Sequence, residues 1–320
     1  KSHYVMDIED CLLQSDAAMV CADALRAFLR DTGAKGITQL TVRTAFGTGE
    51  VMAVLEADNK EIAKIDQLIE MLDDAVYSLN CDENGDPVED GRTYSLESAA
   101  LIHKGKCHIL AGKPTINEEF IMEDGRSLAF EISPQSFYQV NPLQMRKLYD
   151  TVLDFADFRG DEIVYDLYCG VGAIGIYCAP HVRYVWGIEQ NGEAVRDANR
   201  NAVINGLVNI RFLSGKSEER ISDLLGGGEM YRIPGEAADE AEGAGSTSRP
   251  DVIIVDPPRA GLRPELIEAI LGCAPEKIIY VSCDPGTLCR DLNYRFTVVW
   301  DTDRVKGEAF AKELGCRFDP

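Results

Sequence analysis

The chain has 320 residues, of which 45% are hydrophobic and 27% are charged, and its formal net charge is −22. This composition fits a globular protein of about two domains, and the acidic balance argues against strong nonspecific binding of nucleic acid by the chain as a whole. No apolar run approaches the roughly 18 residues that a membrane helix needs, so we expect no membrane association and a cytoplasmic location. The sequence shows no signal peptide and begins with Lys-Ser-His, and we expect it to be part of a longer or processed protein.

The cysteine pattern indicates a reducing compartment. None of the 10 cysteines forms a CxxC pair, and their spacing does not resemble a secreted disulfide framework. The 4 histidines do not cluster, and the sequence therefore predicts no metal site in this chain.

The first part of the chain predicts a small α+β domain with antiparallel strands, spanning residues 1–134. The apolar spacing predicts helices and strands in alternation with turns. In chain order these are a helix over 16–32, two strands within 38–57, a helix over 60–78, and strand-like runs at 106–112 and 118–133.

The pattern then changes to strands that alternate with helices, which predicts a parallel, doubly wound sheet in a second domain, residues 135–320. Helices are expected at 141–156, 173–180 and 191–206, and strands at 163–168, 184–189, 209–213, 251–255 and 278–282. Residues 226–250 are rich in Gly, Ala, Glu and Ser without apolar periodicity, and we interpret them as a flexible acidic insertion.

A glycine-rich segment follows the first strand of this second domain. In "DLYCGVGAIG", Gly170, Gly172 and Gly175 have the GxGxxG spacing that lets a ligand approach the backbone, although this spacing also fits a nicotinamide or flavin cofactor. Asp166 precedes the glycines, and Glu189 ends the next strand, where a carboxylate can accept two ribose hydroxyls. Two acids around the loop favour a cationic ligand over a pyrophosphate, and the arrangement resembles the S-adenosylmethionine site of class I methyltransferases.

Two later strands also end in polar residues. "DVIIVDPPRAGL" places Asp256 before two prolines, and Arg259 stands where methyltransferases acting on exocyclic amines carry an aromatic residue. "IIYVSCDPGTLCRDL" brings Cys283 to a Pro-Gly turn at the end of an apolar run, so that Cys283 is either a packed core cysteine or a nucleophile.

Four segments together resemble the RNA uracil-C5 methyltransferase family, in its order and spacing: "SFYQVNPLQ", "DLYCGVGAIG", "DPPRAGL" and "YVSCDPGTLCRDL". The resemblance implies a class I, Rossmann-like methyltransferase domain preceded by a smaller RNA-binding α+β domain. It implies that Cys283 is the catalytic nucleophile. It further implies an S-adenosylmethionine site formed by Gln139, Asp166, Tyr168, Gly170, Glu189 and Asp256.

The sequence departs from the family pattern at both ends. The family's His-x-Glu motif, whose Glu removes the C5 proton, is missing, and neither Glu308 nor Glu313 has suitable surroundings, so the general base is unassigned. At the front, the β-barrel domain and the cysteines of an iron–sulfur motif are missing. Cys11 matches the last cluster ligand, but one cysteine cannot hold a cluster, so a 4Fe-4S cluster is expected only in a longer protein.

The resemblance therefore implies S-adenosylmethionine-dependent methylation of uracil C5 in RNA, with 23S rRNA ahead of tRNA as substrate. Three alternatives stay open. The first is a noncatalytic or truncated relative that binds S-adenosylmethionine or RNA. The second is a cytosine-C5 RNA methyltransferase, and the third is a dinucleotide enzyme. The cytosine enzymes usually carry a second cysteine at the Asp-Pro-Pro position, and none stands there. No obligate protein partner is evident.

Overall fold

The structure is a computed structural model. It describes residues 10–82, 84, 86–88, 93–122, 125–136, 142–227, 233, 249–292, 298–299 and 317–318. The chain divides into two compact units, Lys1–Gln135 and Ser136–Pro320.

The first unit is built on a four-stranded sheet with the strand order β1-β2-β3-β4. Helices α1 and α2 contribute to its apolar core through side chains such as Phe28 and Leu72, which have almost no exposed surface. A separate antiparallel hairpin, β5-β6, follows. The elements are α1 (Asp16–Thr32), β1 (Ile37–Thr44), β2 (Glu50–Ala57), α2 (Ile65–Ser78), β3 (Ser95–His103), β4 (Lys106–Gly112), β5 (Ile116–Ile121) and β6 (Ser127–Ile132).

The prediction that all strands of this unit are antiparallel is wrong for one pair. Strands β2 and β3 run parallel, while β1-β2 and β3-β4 are antiparallel. The physical reason is the intervening helix α2, because a crossover connection returns the chain to the same end of the sheet. Helix α2 begins at Ile65, five residues after the predicted start, and strand β3 was not predicted.

The second unit is a five-stranded parallel sheet with helices, in the order β11-β10-β7-β8-β9. Its central strands are buried on both faces, which explains their largely apolar sequences. The elements are α3 (Pro142–Ala156), β7 (Ile163–Leu167), α4 (Ala173–Cys178), β8 (Tyr184–Glu189), α5 (Gly192–Ile204), β9 (Ile210–Ser214), α6 (Ser217–Gly226), β10 (Val252–Val255), α7 (Pro264–Cys273), β11 (Lys277–Tyr280) and α8 (Pro285–Leu292). A short parallel pair joins β12 (Val298–Val299) to β13 (Arg317–Phe318).

This topology confirms the predicted doubly wound α/β fold. From β7 the chain moves to β8 and β9 on one side, and later to β10 and β11 on the other. Ligands of such sheets bind outside the carboxyl ends of the strands at this change of direction, here between β7 and β10. The sequence prediction omitted α6 and α7. Most of the predicted insertion 226–250 lies outside the described residues, although Ile233 packs into the core of the unit.

No helix in the described ranges combines the length and apolar character needed to cross a membrane.

Candidate active site

Four of the predicted site residues come together at the carboxyl edge of the parallel sheet. Asp166 lies near the end of β7, Glu189 ends β8, and Asp256 directly follows β10. Cys283 lies three residues beyond the end of β11. Strands β10 and β11 are adjacent and in register, and Val281 N donates to Val255 O at 2.8 Å, so the segments carrying Asp256 and Cys283 leave the sheet side by side.

The glycine loop joins β7 to α4 and is held by the carboxylate beneath it. Asp166 Oδ2 accepts a hydrogen bond from Gly175 N at 2.8 Å. A Cβ atom on Gly175 would lie 2.9 Å from the same oxygen, so this close approach requires glycine. Tyr168 has a φ of 62°, a left-handed conformation that costs a non-glycine residue about 1–3 kcal/mol. Strain of this kind is common where backbone is shaped to receive a ligand.

Asp166 is a buried carboxyl group. Its side chain has no exposed surface, and among the residues that the structure describes Oδ1 has no hydrogen-bond partner. Burial, the largest cause, and the neighbouring charges of Asp256 and Glu189 together raise the pKa of Asp166 to about 8, against the opposing hydrogen bond from Gly175. A cation bound beside this carboxyl group would therefore lower its pKa and pair with the carboxylate that forms.

Glu189 is held in place by backbone groups on both sides. Gly170 N donates to Glu189 Oε2 at 3.2 Å, and Asn191 N donates to Oε1 at 2.7 Å. The side chain is half-buried. Each carboxylate oxygen has a second lone pair, so Glu189 can accept two further hydrogen bonds from a ligand that lies along the glycine loop.

Asp256 and Tyr149 are two further ionisable groups near this edge whose pKa is raised. Burial raises the pKa of Asp256 to about 6. Tyr149, on α3, is buried, and its pKa is raised first by that burial and then by the charges of Asp256 and Asp166. Tyr149 therefore lies near both acids. The sequence analysis missed it, because its spacing with Met145 and Val152 predicts only a buried helix face.

Cys283 is exposed, whereas all the other described cysteines are buried or half-buried. The turn that follows it is tightly closed by Asp284, whose Oδ1 accepts from Gly286 N at 2.8 Å and from Thr287 N at 3.1 Å. These bonds cap the start of α8 and fix the backbone immediately after the thiol. The core-cysteine alternative is therefore wrong for Cys283.

The remaining thiols have different environments. Cys169 and Cys178 are buried, and burial raises the pKa of each well above its usual range, which keeps them as unreactive thiols. Cys289, on α8, and Cys11 are half-buried. Within the described part of the chain, no group of three or more His, Cys, Asp or Glu side chains could hold a metal ion.

Gln139 lies outside the described residues. The segment leading to it is anchored three residues earlier, where Ser136 Oγ donates to the buried Asp197 on α5.

The sequence analysis also missed Asp291. It is fully buried on α8 and accepts hydrogen bonds from Leu262 N and Tyr280 Oη, each at 2.8 Å. No sequence signal identifies Asp291, because the helical pattern alone does not show that a charged residue is buried.

The fold and the acidic carboxyl edge define a class I, Rossmann-like methyltransferase domain, and comparison with known proteins agrees. A sequence profile described as tRNA (uracil-5-)-methyltransferase matches residues 92–310, and the chain belongs to this family. An RNA methyltransferase of Caldanaerobacter subterraneus subsp. tengcongensis is 36% identical over 302 residues, covering 92% of this chain and 60% of the relative. One from Clostridium tetani is 32% identical over 322 residues, covering 96% and 62%. The chain thus spans about three fifths of the length of these relatives.

Among solved structures, the fold is similar to that of Pyrococcus abyssi tRNA (uracil-54, C5)-methyltransferase in complex with S-adenosyl-L-homocysteine. The TM-score is 0.61 at 23% identity, with 91% of this chain and 64% of the other covered.

Proposed function

We propose that this chain methylates C5 of uracil in RNA, with S-adenosylmethionine as the methyl donor and Cys283 as a covalent nucleophile. The observation that carries the proposal is that the exposed Cys283 and Asp256 follow adjacent strands at the carboxyl edge where Asp166 and Glu189 also lie. Membership of the uracil-5-methyltransferase family supports the same reaction.

The residues fit a cationic, ribose-containing ligand. S-adenosylmethionine supplies a methyl group on a positively charged sulfur, which makes that methyl electrophilic. Asp166 and Asp256 are carboxyl groups whose raised pKa a bound cation would lower, so that the cation would pair with a carboxylate. Glu189, fixed by Gly170 N and Asn191 N, is placed to accept the ribose hydroxyls. Gln139 and Tyr168 are further proposed contacts, on the strength of the family resemblance.

The chemistry explains why the thiol is needed. C5 of uracil is too weakly nucleophilic to take a methyl group directly. The Cys283 thiolate adds to C6, and the electron pair of the C5–C6 double bond moves into the ring as an enolate with carbanion character at C5. C5 then bonds to the methyl group, whose former sulfur keeps the bonding electron pair. A base removes the C5 proton, the double bond re-forms, and the thiolate leaves.

The base for the C5 proton is unassigned. Glu308 and Glu313, which follow Cys283, lie outside the described residues. The target uracil must leave its stack to reach the thiol, which is common among enzymes that act on a base within a nucleic acid. We propose an RNA substrate, with 23S rRNA ahead of tRNA, and a cytoplasmic site of action.

The test is methyl transfer to unmodified 23S rRNA and tRNA in parallel, with methyl-labelled S-adenosylmethionine and nucleoside analysis. We expect 5-methyluridine from the unchanged chain and none from Cys283→Ala, with cofactor affinity within about twofold of the original. Cys289→Ala is the matched control, because Cys289 lies on the next helix and has no proposed role. Loss of activity in Cys289→Ala but not in Cys283→Ala contradicts the proposal. Cofactor binding without transfer by the unchanged chain supports the noncatalytic alternative.

A further inference from the structure

We propose that Asp291 is a positioning residue for Cys283, because its carboxylate ties the loop after Asp256 to the segment that carries the thiol. This inference rests on the proposed function and adds a residue that does not touch the reacting atoms. The supporting observations are the burial of Asp291 and the hydrogen bonds that its two oxygens accept from Leu262, from Tyr280 and from the neighbouring Arg290.

The first oxygen joins two strand exits. Asp291 Oδ2 accepts from Leu262 N at 2.8 Å, and Leu262 belongs to the loop that follows Asp256. The same oxygen accepts from the hydroxyl of Tyr280 at 2.8 Å, and Tyr280 is the last residue of β11. One buried oxygen therefore fixes the end of β11 against the loop that leaves β10.

The second oxygen extends this connection through a guanidinium. Asp291 Oδ1 accepts from Arg290 Nε at 2.8 Å and from an Arg290 terminal nitrogen at 2.7 Å. That terminal nitrogen also donates to the carbonyl oxygen of Ala260 at 2.9 Å. Gly261, with a φ of 73°, makes this approach possible, since a Cβ atom there would lie 2.5 Å from both Arg290 and Asp291.

Cys283 lies within the segment that this carboxylate closes. Tyr280 precedes the thiol by three residues, Asp291 follows it by eight, and the two side chains are hydrogen-bonded to each other. Inside the segment, Asp284 caps the start of α8. The exposed thiol is therefore held from both ends, and it is held relative to the loop of Asp256. Since a nucleophile displaced by about 1 Å can react about 100-fold more slowly, this connection bears directly on the addition step.

The decisive variant is Asp291→Asn. An amide has one acceptor oxygen, so either the Leu262 and Tyr280 donors or the Arg290 donors must lose their partner. The matched control is Glu162→Gln. Glu162 is also a buried carboxylate that accepts backbone N–H groups, from Arg159 and Gly160, but it lies just before β7 at the opposite edge of the sheet.

The readout is the rate at which each variant forms a covalent adduct with RNA containing 5-fluorouridine, together with cofactor affinity and the thermal midpoint. We expect Asp291→Asn to slow adduct formation by about 10- to 100-fold, with cofactor affinity within about twofold of the unchanged chain. Glu162→Gln should lower the thermal midpoint by a similar amount yet leave the adduct rate within about twofold.

The outcomes separate the two proposals. Failure of the unchanged chain to form an adduct overturns the proposed function, and the role of Asp291 with it. A normal adduct rate in Asp291→Asn, or equal slowing in Glu162→Gln, overturns the positioning role alone. If Asp291→Asn does not fold, Tyr280→Phe decides, because it removes one bond to Asp291 and keeps the ring. We then expect slowing of about 3- to 10-fold, and an unchanged rate refutes the inference.

Discussion

Replacing Asp166 with Asn should stabilise the protein without its cofactor, and the gain should grow as the pH rises. The substitution keeps the size of the side chain and an oxygen that can accept from Gly175 N. It removes an ionisable group that has no exposed surface and whose Oδ1 has no hydrogen-bond partner in the described part of the chain. Burial, the largest cause, and two nearby carboxylates raise the pKa of Asp166 from 3.8 to about 8.

The sign follows from proton binding. Between the unfolded pKa and the folded pKa, the folded protein holds a proton that the unfolded chain has released. Protonation of Asp166 therefore contributes fully to the stability of the folded protein below the pKa that Asp166 has in the unfolded chain. This contribution is lost as the pH rises through the folded pKa of about 8. Asn does not titrate, so the variant escapes this loss.

The size of the free-energy change follows from the pH range between the unfolded and the folded pKa of Asp166. One pKa unit corresponds to about 1.36 kcal/mol, so three units between about pH 5 and pH 8 give an upper value of about 4 kcal/mol. Local relaxation around an ionised carboxylate lowers this number, and we expect the difference in unfolding free energy between variant and original to widen by about 2–4 kcal/mol. Asp256 titrates in both proteins, so its contribution largely cancels.

Urea unfolding at a series of pH values measures the effect, with fluorescence of the fully buried Trp186 among the signals. Glu162→Gln serves as a control of opposite sign. Hydrogen bonds from backbone N–H groups and the charge of Arg159 lower the pKa of Glu162 despite the opposing effect of its burial. Its contribution is therefore present at neutral pH and lost as the pH falls below about 4.5. Parallel stability curves for Asp166→Asn and the original chain would refute the electrostatic reasoning.

Three further predictions concern the same edge of the sheet. Glu189→Gln should weaken S-adenosylmethionine binding by about 1.5–3 kcal/mol, measured by calorimetry, since an amide replaces a charged acceptor; unchanged affinity contradicts the proposed ribose contact. Gly175→Ala should lower the unfolding free energy by about 1–3 kcal/mol in urea, because the added Cβ would meet Asp166 Oδ2 at 2.9 Å, and a neutral result would mean that the loop shifts freely. Cofactor binding near pH 7 should release protons, because a bound cation lowers the raised pKa of Asp166. Calorimetry in buffers of different ionisation enthalpy should show this release. Proton uptake, or no change in bound protons, argues against a cation beside Asp166.

The sequence predicted the parallel sheet of the second unit well because its strands are buried on both faces. Strand β10 is a continuous apolar run and β7 is apolar apart from Asp166, and helical patterns separate the strands. The first unit was harder to predict, because the direction of β3 depends on how α2 crosses the sheet rather than on local sequence. Propensity and periodicity contain no information about strand order.

The difference between local sequence pattern and long-range arrangement also applies to the candidate site. The four acidic and thiol residues lie at or just beyond the ends of strands: Asp166, Glu189, Asp256 and Cys283. Since the carboxyl ends of parallel strands meet at one edge, the sequence could predict that these residues come together. Asp291 acts across elements, and its partners lie up to 29 residues away in the chain, as Leu262 does. Long-range hydrogen bonds of this kind depend on tertiary packing, and no local pattern predicts them.

The most direct test of the central claim is to locate the covalent bond that the protein forms with RNA containing 5-fluorouridine. Fluorine at C5 cannot leave as a proton, so a thiolate that has added to C6 stays attached after methyl transfer. We predict that peptide mass spectrometry of the trapped complex places the nucleotide on Cys283, and that Cys283→Ala forms no adduct while Cys289→Ala does. An adduct on Cys289 or Cys169, or efficient 5-methyluridine formation by Cys283→Ala, contradicts the account.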